Sequence, residues 1–324
     1  MSNTHLVPTY DVVVVGGGAA GLNGALVLAR SRRTVLVIDA AEPRNAPAAG
    51  VHGFLTRDGT PPEHLLALGR AEVQGYGGQV RHGRVRTVTR DADGFRVTVD
   101  DQDQPAMRGR RLLVTTGLVD ELPDVAGLRE RWGRDVLHCP YCHGWEVRDE
   151  AVGVLASGPL AVHQALLFRQ LTPDVVLFTH TAPPLTDEQA EQLAAREVRI
   201  VAGRVVAVEV ADDHLAGVRL DDGTVIARQA LVVAPRMVAR SAALASLGLQ
   251  PTEHPLGVGA FIASDPSGLT VVPGVWVAGN VRSLQATVIG AAAEGAMAAA
   301  AINADLVAED TRRAVASSER RAAA

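Results

Sequence analysis

Short runs of apolar, largely β-branched residues recur along the chain, and each one ends in glycines or polar residues. The first two cover residues 10–15 and 34–38, and a helical pattern at 22–30 lies between them. Unbroken apolar strands of this kind are typical of parallel sheets that are buried on both faces. The chain therefore begins with a predicted strand–helix–strand unit.

The same arrangement returns in the middle of the chain. Apolar strands are predicted at 151–155 and 175–178, with a helical run to residue 169 between them. Repeated strand–helix–strand units predict an α/β fold with two Rossmann-like dinucleotide-binding domains. Further strands are predicted at 79–99 as a hairpin turning at Asp93-Gly94, and at 111–116, 198–210, 217–220, 225–234 and 274–280.

The remaining segments have weaker patterns. Residues 42–66 are rich in proline, glycine and arginine, which predicts an ordered loop, and a helical period is present at 63–75. An alanine-rich helix is predicted at 290–305. Beyond residue 310 no periodicity remains, so the tail is expected to be unordered.

Composition narrows the functional classes. The 324 residues are 47% hydrophobic and 21% charged, which suits two domains that each have a hydrophobic core. The formal charge is −5, and the basic residues form no stripe along the sequence that would bind nucleic acid or a membrane. No apolar run reaches the roughly 20 residues that span a bilayer, and residues 1–10 lack a signal-peptide pattern, so a cytoplasmic protein is expected. The absence of lysine excludes Schiff-base and P-loop lysine chemistry.

A glycine-rich turn follows the first strand. Gly16, Gly18 and Gly21 fit the dinucleotide fingerprint: a tight turn, close approach to a pyrophosphate, and packing of the next helix on the strand. Asp39 ends the second strand, about 20 residues later, where a ribose-binding carboxylate is expected. The candidate cofactor residues here are Gly16, Gly18, Ala19, Ala20, Gly21 and Asp39.

The corresponding turn of the second unit departs from this fingerprint. Ala156 replaces the first glycine, Pro159 lies inside the turn, and Thr179-His180-Thr181 supplies neither a ribose acid nor an arginine pair for a 2′-phosphate. The fold of this unit is expected to persist while nicotinamide binding is lost.

Both cysteines lie in one pentapeptide, Cys139-Pro140-Tyr141-Cys142-His143. Such a pair can close a disulfide or open as a dithiol, and His143 or His138 could move the protons. Haem attachment suits exported proteins, a zinc site needs further ligands, and inert buried cysteines rarely lie this close together beside two histidines. No metal is expected, and a redox role is favoured.

Together these residues resemble the low-molecular-weight thioredoxin reductase group of flavoproteins over nearly the whole chain. The resemblance depends on the glycine turn with Asp39, Thr115-Thr116-Gly117, the Cys-x-x-Cys segment and the final Gly279-Asn280 strand. It implies FAD in a discontinuous domain of residues 1–118 and 241–324, an inserted NAD(P)H-binding-like domain at 119–240, and a homodimer. The further cofactor candidates are Arg44, Asn45, His52, Thr116, Gly117, Gly279, Asn280, Gln285, Ala286 and Thr287.

Within that group, three departures stand out: His143 after the second cysteine, Asn280 in the last strand and the missing arginine pair. With the loop at 44–54, they resemble dithiol oxidases of gliotoxin and holomycin biosynthesis, an antibiotic-type chemistry. The resemblance implies oxidation of a small-molecule dithiol by oxygen, giving hydrogen peroxide. An NAD(P)H-dependent thioredoxin or disulfide reductase and a flavin-bound redox sensor remain alternatives.

The resemblance also assigns roles to the residues of the cysteine segment. Cys139 is expected to exchange with the substrate and Cys142 to face the flavin. His143 is the expected proton carrier, because an imidazole can serve as acid or base near neutral pH, and His138 is the reserve candidate.

Overall fold

The structure is a computed structural model, and it describes residues 8–101 and 105–322. Strands β1 to β19 are Thr9–Val15, Val35–Asp39, Gln79–His82, Val85–Asp91, Gly94–Val99, Met107–Val114, Leu118–Glu121, Val136–Leu137, Val152–Leu155, Val175–Phe178, Arg199–Val201, Val205–Ala211, His214–Leu220, Val225–Ala227, Ala230–Val233, Arg236–Ala239, Thr252–Glu253, Gly259–Phe261 and Val275–Val277. Helices α1 to α7 are Ala19–Arg30, Pro62–Gly75, Leu128–Arg131, Pro140–His143, Ala161–Phe168, Asp187–Ala195 and Val288–Ala322, and 3₁₀ turns cover Ala242–Leu247 and Gly279–Val281.

The largest sheet combines strands from both ends of the chain. Its order is β3-β2-β1-β6-β5-β4, and β19 pairs with β6. The central strands are parallel and their valines are fully buried, because helices cover one face and further apolar side chains cover the other. α1 packs against α7 on that helical face. Gly24 and Gly295 permit this packing, since a Cβ on Gly24 would lie 3.0 Å from the Gly295 carbonyl oxygen.

A second parallel sheet has the order β11-β10-β9-β15-β8. Phe168 of α5 is buried among its apolar side chains on one face. On the other face, Phe178 packs with residues of the small antiparallel sheet β12-β13-β14. The two sheets, the first with a parallel core and antiparallel edge strands and the second parallel, confirm the predicted α/β fold of thioredoxin reductase type with two Rossmann-like units.

Two strands join the units. β7 and β16 pair antiparallel, with Leu118 opposite Ala239, so the chain passes from the first unit to the second and back along one ladder. This arrangement supports the division into 1–118 with 241–324 and 119–240, which stays a prediction. The small sheet of β17, β18, β16 and β7 was not anticipated from the sequence.

The structure corrects two sequence expectations. The expected unordered tail is wrong, because α7 continues to Ala322. Asp310 anchors it through Arg33 at 2.7 Å and Arg110 at 2.5 Å, and the Ala- and Arg-rich sequence beyond has high helix propensity. Residues 323 and 324 of the predicted tail lie outside the described part. The loop predicted to reach residue 66 instead ends at α2, whose first residue, Pro62, is a favourable N-terminal residue.

Candidate active site

One large cavity lies at the carboxyl ends of β1, β2 and β6, and residues of the second unit close it. Its volume is about 1210 Å³, above the roughly 300–1,000 Å³ of ordinary small-molecule pockets, which suits a dinucleotide together with a substrate. The cavity brings together the predicted residues Gly16, Gly18, Ala19, Ala20, Asp39, Arg44, Asn45, His52, Thr116, Gly117, His138, Cys139, Cys142, His143, Gly279, Asn280, Gln285, Ala286 and Thr287.

The glycine turn has the geometry of a pyrophosphate cradle. Gly16 donates its backbone N–H to the Ile38 carbonyl at 2.8 Å, and a Cβ on Gly18 would meet no atom within 4 Å, so this side is open to a ligand. No side chain caps the N-terminus of α1, which leaves its amides for an anion. Gly21 does not line the cavity. It packs against the Gly16 carbonyl, and a Cβ there would clash with it.

Asp39 lies beside this turn, as the spacing predicts. Its Oδ1 accepts a hydrogen bond from the Gly17 N–H at 3.1 Å, which leaves Oδ2 to accept a ribose hydroxyl. A Cβ on Gly17 would lie 2.6 Å from the Asp39 carboxyl carbon, so only glycine fits between turn and acid. Turn, helix end and carboxylate thus fit the adenosine-diphosphate half of FAD.

Gly279 and Asn280, which follow the last strand, hold the turn before α7 in place. Gly279 donates its N–H to Glu294 Oε2 of α7 at 2.8 Å. Asn280 Nδ2 donates to the carbonyls of Ser283, Leu284 and Ala286 at 3.0, 3.2 and 3.0 Å, so this amide nitrogen organises the turn before α7 and only Oδ1 remains for a polyol. Sequence reasoning missed Glu294, whose only signal was a lone acid in an alanine-rich helix.

The cysteine pair is closed in the structure. A disulfide joins Cys139 and Cys142, with 5.3 Å between their Cα atoms. Cys139 is the N-cap of α4, and the N–H groups of Cys142 and His143 point to its carbonyl at 3.3 and 3.2 Å. Both cysteines line the same cavity as the FAD-binding turn. A dithiol entering this cavity can therefore reach a disulfide placed beside the cofactor site.

His143 is half-buried next to the disulfide. Its Nε2 atom is inaccessible to solvent and has no hydrogen-bond partner among residues 8–101 and 105–322. Burial lowers the pKa of His143 below its ordinary value, while Glu146 raises it and His52 lowers it further. The imidazole is therefore neutral near pH 7 and able to accept a proton.

His138 precedes the first cysteine and has a different environment. Its Nδ1 lies 3.3 Å from the Val233 carbonyl oxygen, a contact that requires the proton on Nδ1 and leaves Nε2 as the basic atom. Burial lowers the pKa of His138, and Arg44 lowers it further, against opposing effects of the Val233 carbonyl and Asp120. Both histidines flanking the cysteines are thus neutral bases.

Two residues of the predicted cofactor loop contact acids that the sequence did not indicate. Arg44 binds Asp120 of β7 through two hydrogen bonds of 2.7 and 2.6 Å. His52 lies with Nδ1 3.5 Å from Asp58 and Nε2 3.4 Å from Glu146, which follows the cysteine segment. The loop therefore contacts the second unit as well as the cavity, and a cofactor role for Arg44 and His52 stays a prediction.

The second unit has the turn but not the ligands of a nucleotide site. Ala156 donates its N–H to the Phe178 carbonyl at 2.9 Å, matching Gly16 and Ile38 in the first unit. Thr179 stands where Asp39 stands in the first unit, and the next residue, His180, accepts the Val205 N–H at 3.1 Å through its Nδ1. A small cavity of about 330 Å³ is lined there by Glu121, Leu122, Pro123, Asp124, Ser157, His180, Thr181, Arg204, Ala234 and Arg236.

Metal-binding clusters and membrane-spanning helices are two other features considered for the described residues. No group of three or more His, Cys, Asp or Glu side chains able to hold a metal ion is present in residues 8–101 and 105–322. In the same part of the chain, none of the helices combines the length and apolarity needed to traverse a bilayer.

Comparison with known proteins shows the family to which the chain is similar. Residues 10–300 match the model of the pyridine nucleotide-disulphide oxidoreductase family. The chain is 29% identical over 321 residues to thioredoxin reductase tcpT of Claviceps purpurea, covering 94% of this chain and 97% of the relative. It is 31% identical to thioredoxin reductase sirT of Leptosphaeria maculans, covering 91% and 93%.

Solved structures agree with these relatives. The crystal structure of HlmI superposes with a TM-score of 0.88 at 48% identity, covering 99% of this chain and 98% of the other. An oxidoreductase from Agrobacterium tumefaciens gives 0.86 at 36% identity, covering 92% and 99%. The resemblance to thioredoxin reductases, and within them to the gliotoxin and holomycin dithiol oxidases, is confirmed.

These matches also establish the cofactor and the general chemistry. The family consists of FAD-binding flavoproteins, and the turn, acid and cavity described above fit FAD. The disulfide beside that site is the feature on which thiol chemistry depends. The chain belongs to the pyridine nucleotide-disulphide oxidoreductase family, as an FAD-containing, thioredoxin reductase-like enzyme acting on thiols and disulfides.

Proposed function

We propose that this protein is an FAD-dependent dithiol oxidase that forms a disulfide in a small-molecule dithiol, with oxygen as the electron acceptor and hydrogen peroxide as the product. The observation that carries the proposal is the contrast between the two glycine-turn sites. The first has Gly16 and Asp39 at the large cavity, whereas the second has Ala156 and Thr179 at the corresponding positions and a cavity of about 330 Å³ lined by two carboxylates and two arginines. Electrons are therefore expected to enter through the disulfide rather than through a nicotinamide.

The disulfide residues would perform the exchange. A substrate thiolate attacks Cys139 Sγ, forming a mixed disulfide and releasing Cys142 as a thiolate. The second substrate thiolate then attacks the substrate sulfur, which closes the product disulfide and releases Cys139. One substrate dithiol is oxidised and one enzyme disulfide is reduced, so two protons leave the substrate in each cycle.

His143 is the expected acceptor of the first of these protons. Burial keeps its imidazole neutral near pH 7, and its buried Nε2 lies at the cavity without a protein partner in the described ranges. FAD held by the glycine turn and Asp39 would supply the two-electron redox chemistry that links the enzyme dithiol to oxygen. We expect the enzyme to act as a cytoplasmic homodimer.

A second candidate, an NAD(P)H-dependent thioredoxin or disulfide reductase, is favoured by one observation. Arg204 lines the smaller cavity beside His180, and an arginine there could receive a 2′-phosphate. The relatives named thioredoxin reductase agree with this alternative.

Anaerobic mixing distinguishes the two candidates. The proposed oxidase should lose its flavin absorbance when mixed with dithiothreitol and keep it when mixed with NADPH. On admitting air, it should consume one oxygen per dithiol. Rapid bleaching by NADPH would instead identify the reductase, and the absence of sustained oxygen uptake would leave the flavin-bound redox sensor.

A further inference from the structure

One face of α5 forms part of the wall of the large cavity. The cavity-lining residues of this helix and its N-cap are Leu160, His163, Gln164 and Leu167. Their spacing of three, four and seven residues places them on a single face. α5 follows the altered glycine turn of the second unit, where a nucleotide-binding helix would otherwise begin. The face directed at the cavity is apolar except for one imidazole and one amide.

Gln164 is the buried polar residue of this face, with 6% of its surface exposed. Its Nε2 donates to the backbone carbonyl of His138 at 3.2 Å. The same atom also lies 3.5 Å from His138 Nδ1, but the opposite amide orientation would place two acceptor oxygens together at the shorter distance of 3.2 Å, so the carbonyl contact assigns Oε1. Oε1 is inaccessible to solvent and has no partner in residues 8–101 and 105–322.

A buried amide oxygen without a partner is unfavourable, and native proteins seldom retain one. Here the residue borders a cavity in which a ligand binds, so a small rotation of the amide towards the cavity would let a ligand donor satisfy the oxygen. Resting on the proposed function, we propose that Gln164 Oε1 is a substrate subsite that accepts a hydrogen bond from an N–H or O–H group of the dithiol, between the apolar side chains of Leu160 and Leu167. The substrate class is therefore a neutral dithiol that carries a hydrogen-bond donor.

The position of Gln164 assigns the subsite to the substrate rather than to the cofactor. Gln164 belongs to the unit that carries the disulfide, and its amide binds His138, the residue directly before Cys139. The residues that cradle FAD belong to the other unit. A hydrogen-bond donor on the substrate would thus be held close to Cys139, whose sulfur the substrate thiolate attacks.

The test compares two dithiols of the same carbon skeleton. Dithiothreitol carries two hydroxyl donors, whereas 1,4-butanedithiol carries none, and both close six-membered disulfides. We expect Gln164→Met, which has nearly the same shape but no amide, to lower the ratio of kcat/KM for dithiothreitol to kcat/KM for butanedithiol by about tenfold. Gln192→Met, at an exposed glutamine of α6, is the matched control and should leave the ratio unchanged.

The ratio separates the subsite from a structural role. If Gln164 served only to hold His138, Gln164→Met would slow both dithiols equally, and the inference would be overturned. A shift of the flavin absorption bands with an unchanged ratio would assign the amide to the cofactor and also overturn it. Oxidation of neither dithiol by the native protein would refute the proposed function itself, a result distinct from an unchanged ratio.

Discussion

Arg44 and Asp120 form a two-pronged ion pair between the cofactor loop and the strand that leads into the second unit. Arg44 Nε and Nη2 donate to the two Asp120 carboxylate oxygens at 2.7 and 2.6 Å. The Asp120 side chain is only 7% exposed. The Arg44 guanidinium lowers the pKa of His138, and the Asp120 carboxylate raises it. One residue pair therefore connects the FAD-side loop, the interdomain strand and the segment that carries the cysteines.

Removing this pair should destabilise the protein. Arg44→Ala leaves a buried carboxylate without its partner, so we expect the free energy of unfolding to fall by about 2 kcal/mol. The matched control is Arg84→Ala, because the pair of Arg84 with Glu42 is about half exposed on both sides and should contribute roughly 0–1 kcal/mol. Urea unfolding followed by tryptophan fluorescence measures both changes. Equal losses in the two variants would contradict the assignment.

The open side of Gly18 predicts a variant that folds without its cofactor. A Cβ there meets no protein atom within 4 Å, so Gly18→Val should keep the native far-ultraviolet circular dichroism spectrum while its branched side chain occupies the pyrophosphate position. The variant should therefore be purified with little FAD, measured as the ratio of flavin to protein absorbance. Gly75→Val, at an equally open glycine of α2, should retain normal FAD content. Full FAD occupancy in Gly18→Val would show that the phosphates lie elsewhere.

His143 should control the acid side of the activity profile. Burial lowers its pKa, so the imidazole stays neutral, and able to accept a proton, to a pH below the ordinary value of about 6.5. Stopped-flow reduction of the flavin by dithiothreitol should decline only below that pH. In His143→Ala the rate should be about a hundredfold lower and this acid limb should disappear.

His64→Ala, at an exposed histidine of α2, provides the comparison. It should reproduce the rate and the pH profile of the native protein. If His143→Ala keeps both the native rate and the native acid limb, His143 is not the proton acceptor.

The same buried imidazoles predict a loss of stability in acid. The folded-state pKa of His138 is lowered by burial, so the unfolded chain binds the proton more readily. The contribution of neutral His138 is fully present above the unfolded value of about 6.5 and is lost as the pH falls through the lower folded value. Urea midpoints measured between about pH 7.5 and 5 should fall accordingly, and less so in His138→Gln. A midpoint that rises over this range would contradict the burial of a neutral imidazole.

Much of the architecture could be predicted from local sequence. The unbroken valine-rich run at 12–15 must be covered on both faces, which specifies a central parallel strand, and Gly16 to Gly21 specifies the turn and helix that follow. The missed helix α6 also had a local signal, since Thr186 and Gln189 form a capping box. The tail was misread because helix propensity and the anchoring of Asp310 by Arg33 and Arg110 replace hydrophobic periodicity there.

The sequence by itself determined the chemical components: a glycine turn with its acid, a Cys-x-x-Cys segment with two histidines, and a second unit whose nucleotide turn is altered. Only the tertiary structure decided which of them meet, because side chains far apart in sequence, such as Asp120, Glu146, Gln164 and Glu294, reach the site through pairing of strands and packing of helices. Local patterns carry no information about such contacts. Burial, which makes His138 and His143 neutral bases and leaves the Gln164 oxygen without a protein partner in the described residues, exists only once the two units enclose the cavity.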